Sequence, residues 1–149
     1  QFQNIGQADT RGIEVGARYH FTNGAEVRGS LTRQSSEDAN GDTLTNTPRT
    51  LAKLLLRVPI GTHELAWETR FTGRRPDFRG IPVGGQSVSN VAVTGHLLRD
   101  LRWRVRLSNL FDRRIAYVVG DEYSQGAAGD VPTISGERRR IQADLIWTF

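Results

Sequence analysis

The side chains with chemistry to offer are arginines, three histidines and a few acidic clusters, and their spacing decides what that chemistry is. Asp38-x-Asn40-x-Asp42 has the spacing of the first half of a calcium loop, in which alternate oxygens converge on one cation. Thr43 stands where such a loop needs glycine and Arg49 where it needs a bidentate glutamate, so a polar turn is the competing reading. The run Gly80-Ile81-Pro82-Val83-Gly84-Gly85 lacks the Gly-Lys-Ser/Thr of a phosphate-binding loop, and no helical pattern follows it. His20, His63 and His96 are too scattered for metal-ligand spacing. Serines and aspartates form no strained nucleophile turn, and without cysteine there is neither a thiolate site nor a disulfide. No enzymatic activity, resident metal or cofactor is expected.

That leaves the arginines. Lys and Arg total 20 against 16 acids, for a net charge of +4, and Lys53 is the one lysine among them. A basic balance of this kind admits nucleic acid as a partner, so placement has to decide. Arg18, Arg28, Arg57, Arg70, Arg104 and Arg106 fall on the polar phase of five alternating segments, the last two on the same one, and no nucleic acid is expected. Of these, Arg57, Arg70, Arg104 and Arg106 are candidates for binding an anionic ligand, with a simply hydrated polar face as the alternative.

The elements that must carry these residues are strands. In residues 138–149, Ile141, Ala143, Leu145, Trp147 and Phe149 share one phase, while Arg138, Arg140, Gln142, Asp144 and Thr148 share the other, with Ile146 as an apolar intruder. Period-two alternation means one apolar and one polar face. After a stub at residues 1–7, six more segments read the same way: 10–22, 25–36, 49–60, 63–76, 88–99 and 102–117. Asn23-Gly24 and Gly61-Thr62 mark tight hairpins, and another turn is expected near Asp100-Leu101. Between these turns lie polar loops at 37–48, 77–87 and 118–133.

Short and long connections therefore alternate three times, which is the connectivity of an up-and-down barrel in an outer membrane. Only 37% of residues are hydrophobic and no run approaches the ~18 apolar residues of a spanning helix, but barrel strands are apolar only at alternate positions. Each segment has at least the ~9–11 residues a tilted strand needs to cross a bilayer. The apolar phase also holds Arg11, Arg33, Arg75, Arg113 and Arg139, all beside the long loops. None is at mid-strand, where an arginine facing lipid costs ~2–4 kcal/mol. Two readings remain open: a basic collar meeting phosphates of the external leaflet, or ordinary solvated strand ends.

Four motifs carry a resemblance. Leu107-Ser108-Asn109-Leu110-Phe111-Asp112-Arg113-Arg114 and the ending Ile146-Trp147-Thr148-Phe149 resemble the penultimate and last strands of TonB-dependent outer-membrane receptors. Asn4-x-Gly6-x-Ala8 followed by Arg11-Gly12-Ile13-Glu14, and Asn46-Thr47-Pro48-Arg49, are similar to strand starts in the same family. The resemblance implies an all-β, antiparallel, up-and-down transmembrane barrel of about 22 strands, of which residues 1–149 supply the last seven to eight. It implies a bacterial outer-membrane location, outer-membrane lipid around the wall, and a siderophore-type iron complex or similar scarce nutrient caught by the loops. A plug domain of the same protein and the energy-coupling protein TonB are the implied partners. Asn109, Leu110, Phe111 and Asp112 would set strand and loop geometry, and Trp147 with Phe149 would signal to the insertion machinery.

The chain lacks a plug, a coupling box and enough strands, and it has no methionine even at position 1, so it is expected to be a piece of a longer product. An open sheet would leave backbone groups unpaired in lipid at several kcal/mol each. The alternative from another class is a small soluble β-barrel that binds a polyanion through its arginine-rich face, with strong salt dependence.

Overall fold

Alternation becomes structure from Ala8 onward. The computed structural model describes residues 7–120 and 132–148, and among these there is no helix. In chain order the strands are β1 (Ala8–His20), β2 (Glu26–Asp38), β3 (Thr50–Ile60), β4 (His63–Thr72), β5 (Arg75–Pro76), β6 (Pro82–Val83), β7 (Gln86–Leu98), β8 (Leu101–Ser108), β9 (Ala116–Val118), β10 (Thr133–Ser135) and β11 (Arg140–Trp147). Seven of them form one antiparallel sheet in the order β1-β2-β3-β4-β7-β8-β11. The pairs β5-β6 and β9-β10 are small hairpins within the long connections.

Register keeps one phase on one face across the whole sheet. Tyr19 faces Val27, Val27 faces Leu56, Leu56 faces Trp67, Trp67 faces Val91, Val91 faces Leu107, and Leu107 faces Ile141. A one-residue slip anywhere would move a strand's apolar set to the arginine side, so the two-faced pattern itself specifies the register. Apolar cross-strand neighbours of this kind contribute roughly 0.2–1 kcal/mol each.

That apolar face has no cover among the described residues. Val15 is 63% exposed, Trp67 40% and Leu145 71%, while Leu56 is half-buried by its neighbours in the sheet. The buried apolar side chains are Ala25, Ile115, Val118 and Val119, none of them on the seven-stranded sheet. A soluble sandwich or small closed barrel would bury this phase against a second layer. Here both end strands keep a free edge: β1 pairs with β2 alone and β11 with β8 alone among the described residues.

The short connections follow turn chemistry. Gly24 (φ 82°) closes the β1-β2 turn, where the Asn23 side chain accepts a hydrogen bond from the Ala25 amide. Ile60 pairs with His63 across Gly61-Thr62, and Gly61 (φ 59°) supplies the positive φ that a two-residue hairpin demands at its first position. Between β7 and β8 a register shift at His96/Leu98 marks a bulge, and the turn lies at Arg99-Asp100, one residue ahead of the expected position. Tyr19, Phe21, Trp103 and Trp147 gather toward this short-turn end; the Tyr19 and Phe21 rings meet edge to face at 4.8 Å.

Most boundaries differ from the sequence reading by one or two residues, those of the fourth and sixth segments by more. The fourth segment leaves the sheet after Thr72 rather than at residue 76, because the chain turns away at Gly73 to make β5 and β6. The fifth begins at Gln86. The sixth stops at Ser108 instead of running to 117, since Asn109 (φ 50°) and Asp112 (φ 49°) take left-handed conformations that no strand accommodates.

Candidate functional site

The polar phase forms the other face of the sheet. Arg57 lies opposite Glu26 and Ala66, Arg104 opposite Thr94 and Asp144, and Arg106 opposite Ala92 and Gln142. Arg70 sits opposite Lys53 and Val88 and pairs with Glu68 at 2.6 Å. A depression of about 240 Å3 brings Arg70 and Arg106 together with Glu68 and Asn90. Arg57 and Arg104 do not line it. A larger depression beside it, about 480 Å3, is lined by Arg18, Arg28, Lys53, Glu14 and Glu68. Arg18 is held by Glu26 at 3.0 Å. Cations outnumber acids on this face, which suits a hydrated surface that attracts anions.

The long-loop end carries the tighter constructions. Arg75 belongs to the apolar phase by sequence, yet it is 5% exposed and so takes no part in a phosphate-facing collar; Arg11, Arg33, Arg113 and Arg139 are exposed. Its Nε donates to Asn46 Oδ1 (3.0 Å) in the first long loop and its Nη2 to the Ala116 carbonyl (2.6 Å) in the third. Burial lowers its pKa from the usual arginine value. Two more bonds run beside these: the Asn46 amide to the Pro76 carbonyl (2.9 Å), and the Ala116 amide to Gln86 Oε1 (3.0 Å).

Asp77, 2% exposed, organises the second loop from within. Its Oδ1 accepts from the Arg79 and Ile81 amides and its Oδ2 pairs with the Arg79 guanidinium at 3.0 Å. Burial pushes its carboxyl up, but the Ile81 amide and the Arg79 donors outweigh it and leave the group below the usual carboxylate range. Between this loop and the first lies an open cleft of about 870 Å3, reached by Arg49, Arg74, Arg75, Asp38 and Asp42. The suspected calcium spacing is a turn: Asp38 Oδ1 accepts from the Asn40 (2.8 Å) and Asp42 (2.9 Å) amides, with Gly41 at φ 85°. Among the described residues no cluster of three or more His, Asp or Glu is placed to hold a metal.

The Asn-Leu-Phe-Asp run ties β8 to the start of β11. Asn109 is 3% exposed; its Nδ2 donates to the carbonyls of Arg113 (2.8 Å) and Glu137 (3.1 Å), and its Oδ1 accepts from the Arg113 amide (2.9 Å). The Leu110 amide donates to the Ser89 carbonyl of β7 (2.7 Å), while Phe111 projects outward, 57% exposed. Asp112 takes the Arg138 guanidinium on both oxygens, at 2.8 and 2.5 Å, and the Arg139 amide at 3.0 Å.

The Arg138 guanidinium, followed by the Arg139 amide, holds the Asp112 carboxyl far below the usual carboxylate range. A folded-state value below the unfolded one means a contribution present above the ordinary carboxylate pKa of about 3.9 and lost as pH falls through the depressed value. Amide exchange at Arg139 and Arg140, corrected for intrinsic rates, is therefore expected to stay protected from pH 7 down to about 4, the upper edge of that window. Asp112→Asn is expected to lower the protection throughout this range. Loss of wild-type protection between pH 5 and 4 would show that the pair does not hold the carboxyl ionised.

Trp147 faces Leu101 at the short-turn end and is 72% exposed. Phe149, Asn4, Gly6 and residues 121–131 of the third loop lie outside the described residues. Arg75 is the residue that sequence reasoning misplaced. Its signal was the adjoining Pro76, which cannot donate to a sheet ladder, but nothing local tells which loops then close over it.

No family model and no curated protein matches this sequence. Solved structures do. The ferric enterobactin receptor PfeA of Pseudomonas aeruginosa superposes with a TM-score of 0.79 at 19% identity, over 98% of this chain and 23% of that one. The copper transporter OprC gives 0.75 at 18%, over 95% and 24%, and the ferric-catecholate import receptor Fiu of E. coli K12 gives 0.73 at 18%, over 95% and 20%. The chain thus spans a fifth to a quarter of the length of these structures, and at such identities the likeness is one of fold. It agrees with the exposed apolar face, the free sheet edges and the alternating connections: the chain has the fold of a section of the β-barrel wall of TonB-dependent outer-membrane receptors.

Proposed function

We propose that residues 1–149 are the C-terminal part of the barrel wall of a receptor that takes up a scarce nutrient, such as an iron-siderophore complex, with energy relayed by TonB. The observation that carries this reading is the two-faced sheet: an uncovered apolar face from Val15 to Leu145, and behind it a hydrated face rich in arginine. Lipid covers the apolar face, and the arginine-rich face lines the lumen, toward a plug domain of the same protein. The free edges of β1 and β11 pair with the remaining strands, as an open sheet in lipid must. The long loops lie outside and make first contact with the ligand, with Arg57, Arg70, Arg104 and Arg106 below them in the lumen. Arg11, Arg33, Arg113 and Arg139 meet phosphates of the external leaflet. Trp147 and Phe149 mark the strand recognised during insertion.

The test is uptake. Full-length protein supplied to an iron-starved bacterium that lacks its own siderophore receptors is expected to appear in the outer-membrane fraction and to restore uptake of a labelled ferric siderophore. Deletion of TonB is expected to abolish that uptake. Absence from the outer membrane, or uptake of the same size without TonB, overturns the proposal.

A further inference from the structure

Among the described residues, Arg75 is the one side chain that bonds both the first and the third long loops, and it does so from the second. The guanidinium is a rigid plane, so the positions of Asn46 Oδ1 and the Ala116 carbonyl are fixed relative to each other through it. Its remaining terminal nitrogen, Nη1, is buried without a partner among the described residues. Asp77, by contrast, is satisfied within its own loop by Arg79 and Ile81.

We infer that Arg75 is a positioning residue that latches the three long loops into one cooperative unit, so that an event at one loop is felt at the other two. The coupling stands on the geometry alone; its use in capture, where a ligand engaging one loop steadies all three, rests on the function proposed above. The bonds beside Arg75 do not duplicate the latch. Asn46 to Pro76 joins the first loop to the second, and Ala116 to Gln86 joins the third loop to β7, but neither links first to third.

Hydrogen exchange of the full-length protein in detergent, without ligand, tests this. Asn46→Gly keeps the positive φ of that residue (57°) and deletes only the side-chain acceptor. It is expected to raise exchange in residues 43–49 and also in 115–119 by on the order of tenfold, the loss expected for one hydrogen bond to a charged group. Arg75→Gln and Arg75→Lys are expected to do the same, because a lysine cannot present a planar fork to two acceptors. The strands are expected to keep wild-type exchange in all three variants, and residues 77–81, held also from within by Asp77, to change less than 115–119. An Asn46→Gly effect confined to 43–49 overturns the coupling, as does wild-type exchange of 115–119 in Arg75→Lys. Should Arg75→Gln also loosen the strands, the fold is at fault there, and Asn46→Gly, which leaves the buried guanidinium in place, decides. Since the readout needs neither substrate nor TonB, a failed uptake experiment leaves it intact, and a failed exchange experiment leaves the uptake reading intact.

Discussion

Leu56→Arg in the full-length protein is expected to destabilise the folded barrel in lipid vesicles by about 2–4 kcal/mol, the cost of an arginine at the middle of a lipid-facing strand. Leu55→Arg, one residue earlier, is expected to change stability by no more than about 0.5 kcal/mol. The contrast comes from the pleat. Leu56 stands between Val27 and Trp67 on the apolar face, near the centre of β3, whereas Leu55 stands between Arg28 and Glu68 on the polar one. Urea titration followed by tryptophan fluorescence reads both, with Trp67 beside the altered position. A soluble sheet with its apolar face in water would accept either arginine almost equally, since an exposed charge there meets solvent. Similar costs at the two positions would therefore remove lipid from the apolar face and with it the receptor reading. This experiment weighs the face directly, independent of any substrate.

Why the sheet was legible and the loop end was not follows from the range of the interactions. Alternation is a local signal, imposed at every second residue by the medium on either side, so Ile13, Val15 and Tyr19 or Leu54, Leu56 and Val58 could be assigned to one face without knowing their neighbours. Even the intruder Ile146 fell where the alternation put it, on the polar face opposite Arg102, and Leu55, which breaks the pattern of the third segment in the same way, lies there opposite Glu68. Gly24 and Gly61 were legible for the same reason, as turn chemistry is written in adjacent residues.

Arg75 shows the opposite case. Counting in twos from Trp67 through Phe71 places it on the lipid side at the rim, and the count is valid only while the chain remains in the sheet. It leaves at Gly73, and from there the surroundings of Arg75 depend on Asn46 and Ala116, 29 residues before it and 41 after. The arginine pair at Arg70 and Arg106 was half legible. Their shared phase followed from alternation, but that β4 and β8 each flank β7, bringing both to one depression, is a matter of sheet order. Residues 109–117 misled for a third reason. Leu110, Phe111, Ile115 and Tyr117 continue an apolar texture, and only the left-handed conformations of Asn109 and Asp112 break it. Asparagine and aspartate are the non-glycine residues that adopt that conformation most readily, so the signal was present in their identity.

That same break carries the second large expectation. Asn109→Gly keeps the left-handed backbone but strips a buried amide of three side-chain bonds, and is expected to cost about 2 kcal/mol, since the freed groups of Arg113 and Glu137 recover only partly through water. Asn109→Ala loses the same bonds and keeps a Cβ at φ 50° without the local side-chain bonding that lets asparagine tolerate it, so it is expected to cost about 1 kcal/mol more than the glycine variant. The knot lies just beyond the pairing of Ser108 with Arg140, where β11 starts, so its loss acts on register as well as on stability. A shift of two residues would preserve the two faces, and alternation alone cannot resist it. The chain has no cysteine, so Arg106→Cys and Gln142→Cys, directly opposite in the sheet, form a disulfide that reports the native register. In the Asn109→Ala background, crosslinking of 106 to 142 is expected to fall, and crosslinking of 106 to a cysteine at 144 to rise. Full 106–142 crosslinking at undiminished stability would mean that charge pairing such as Arg104 opposite Asp144 sets the register, with the loop knot following from it.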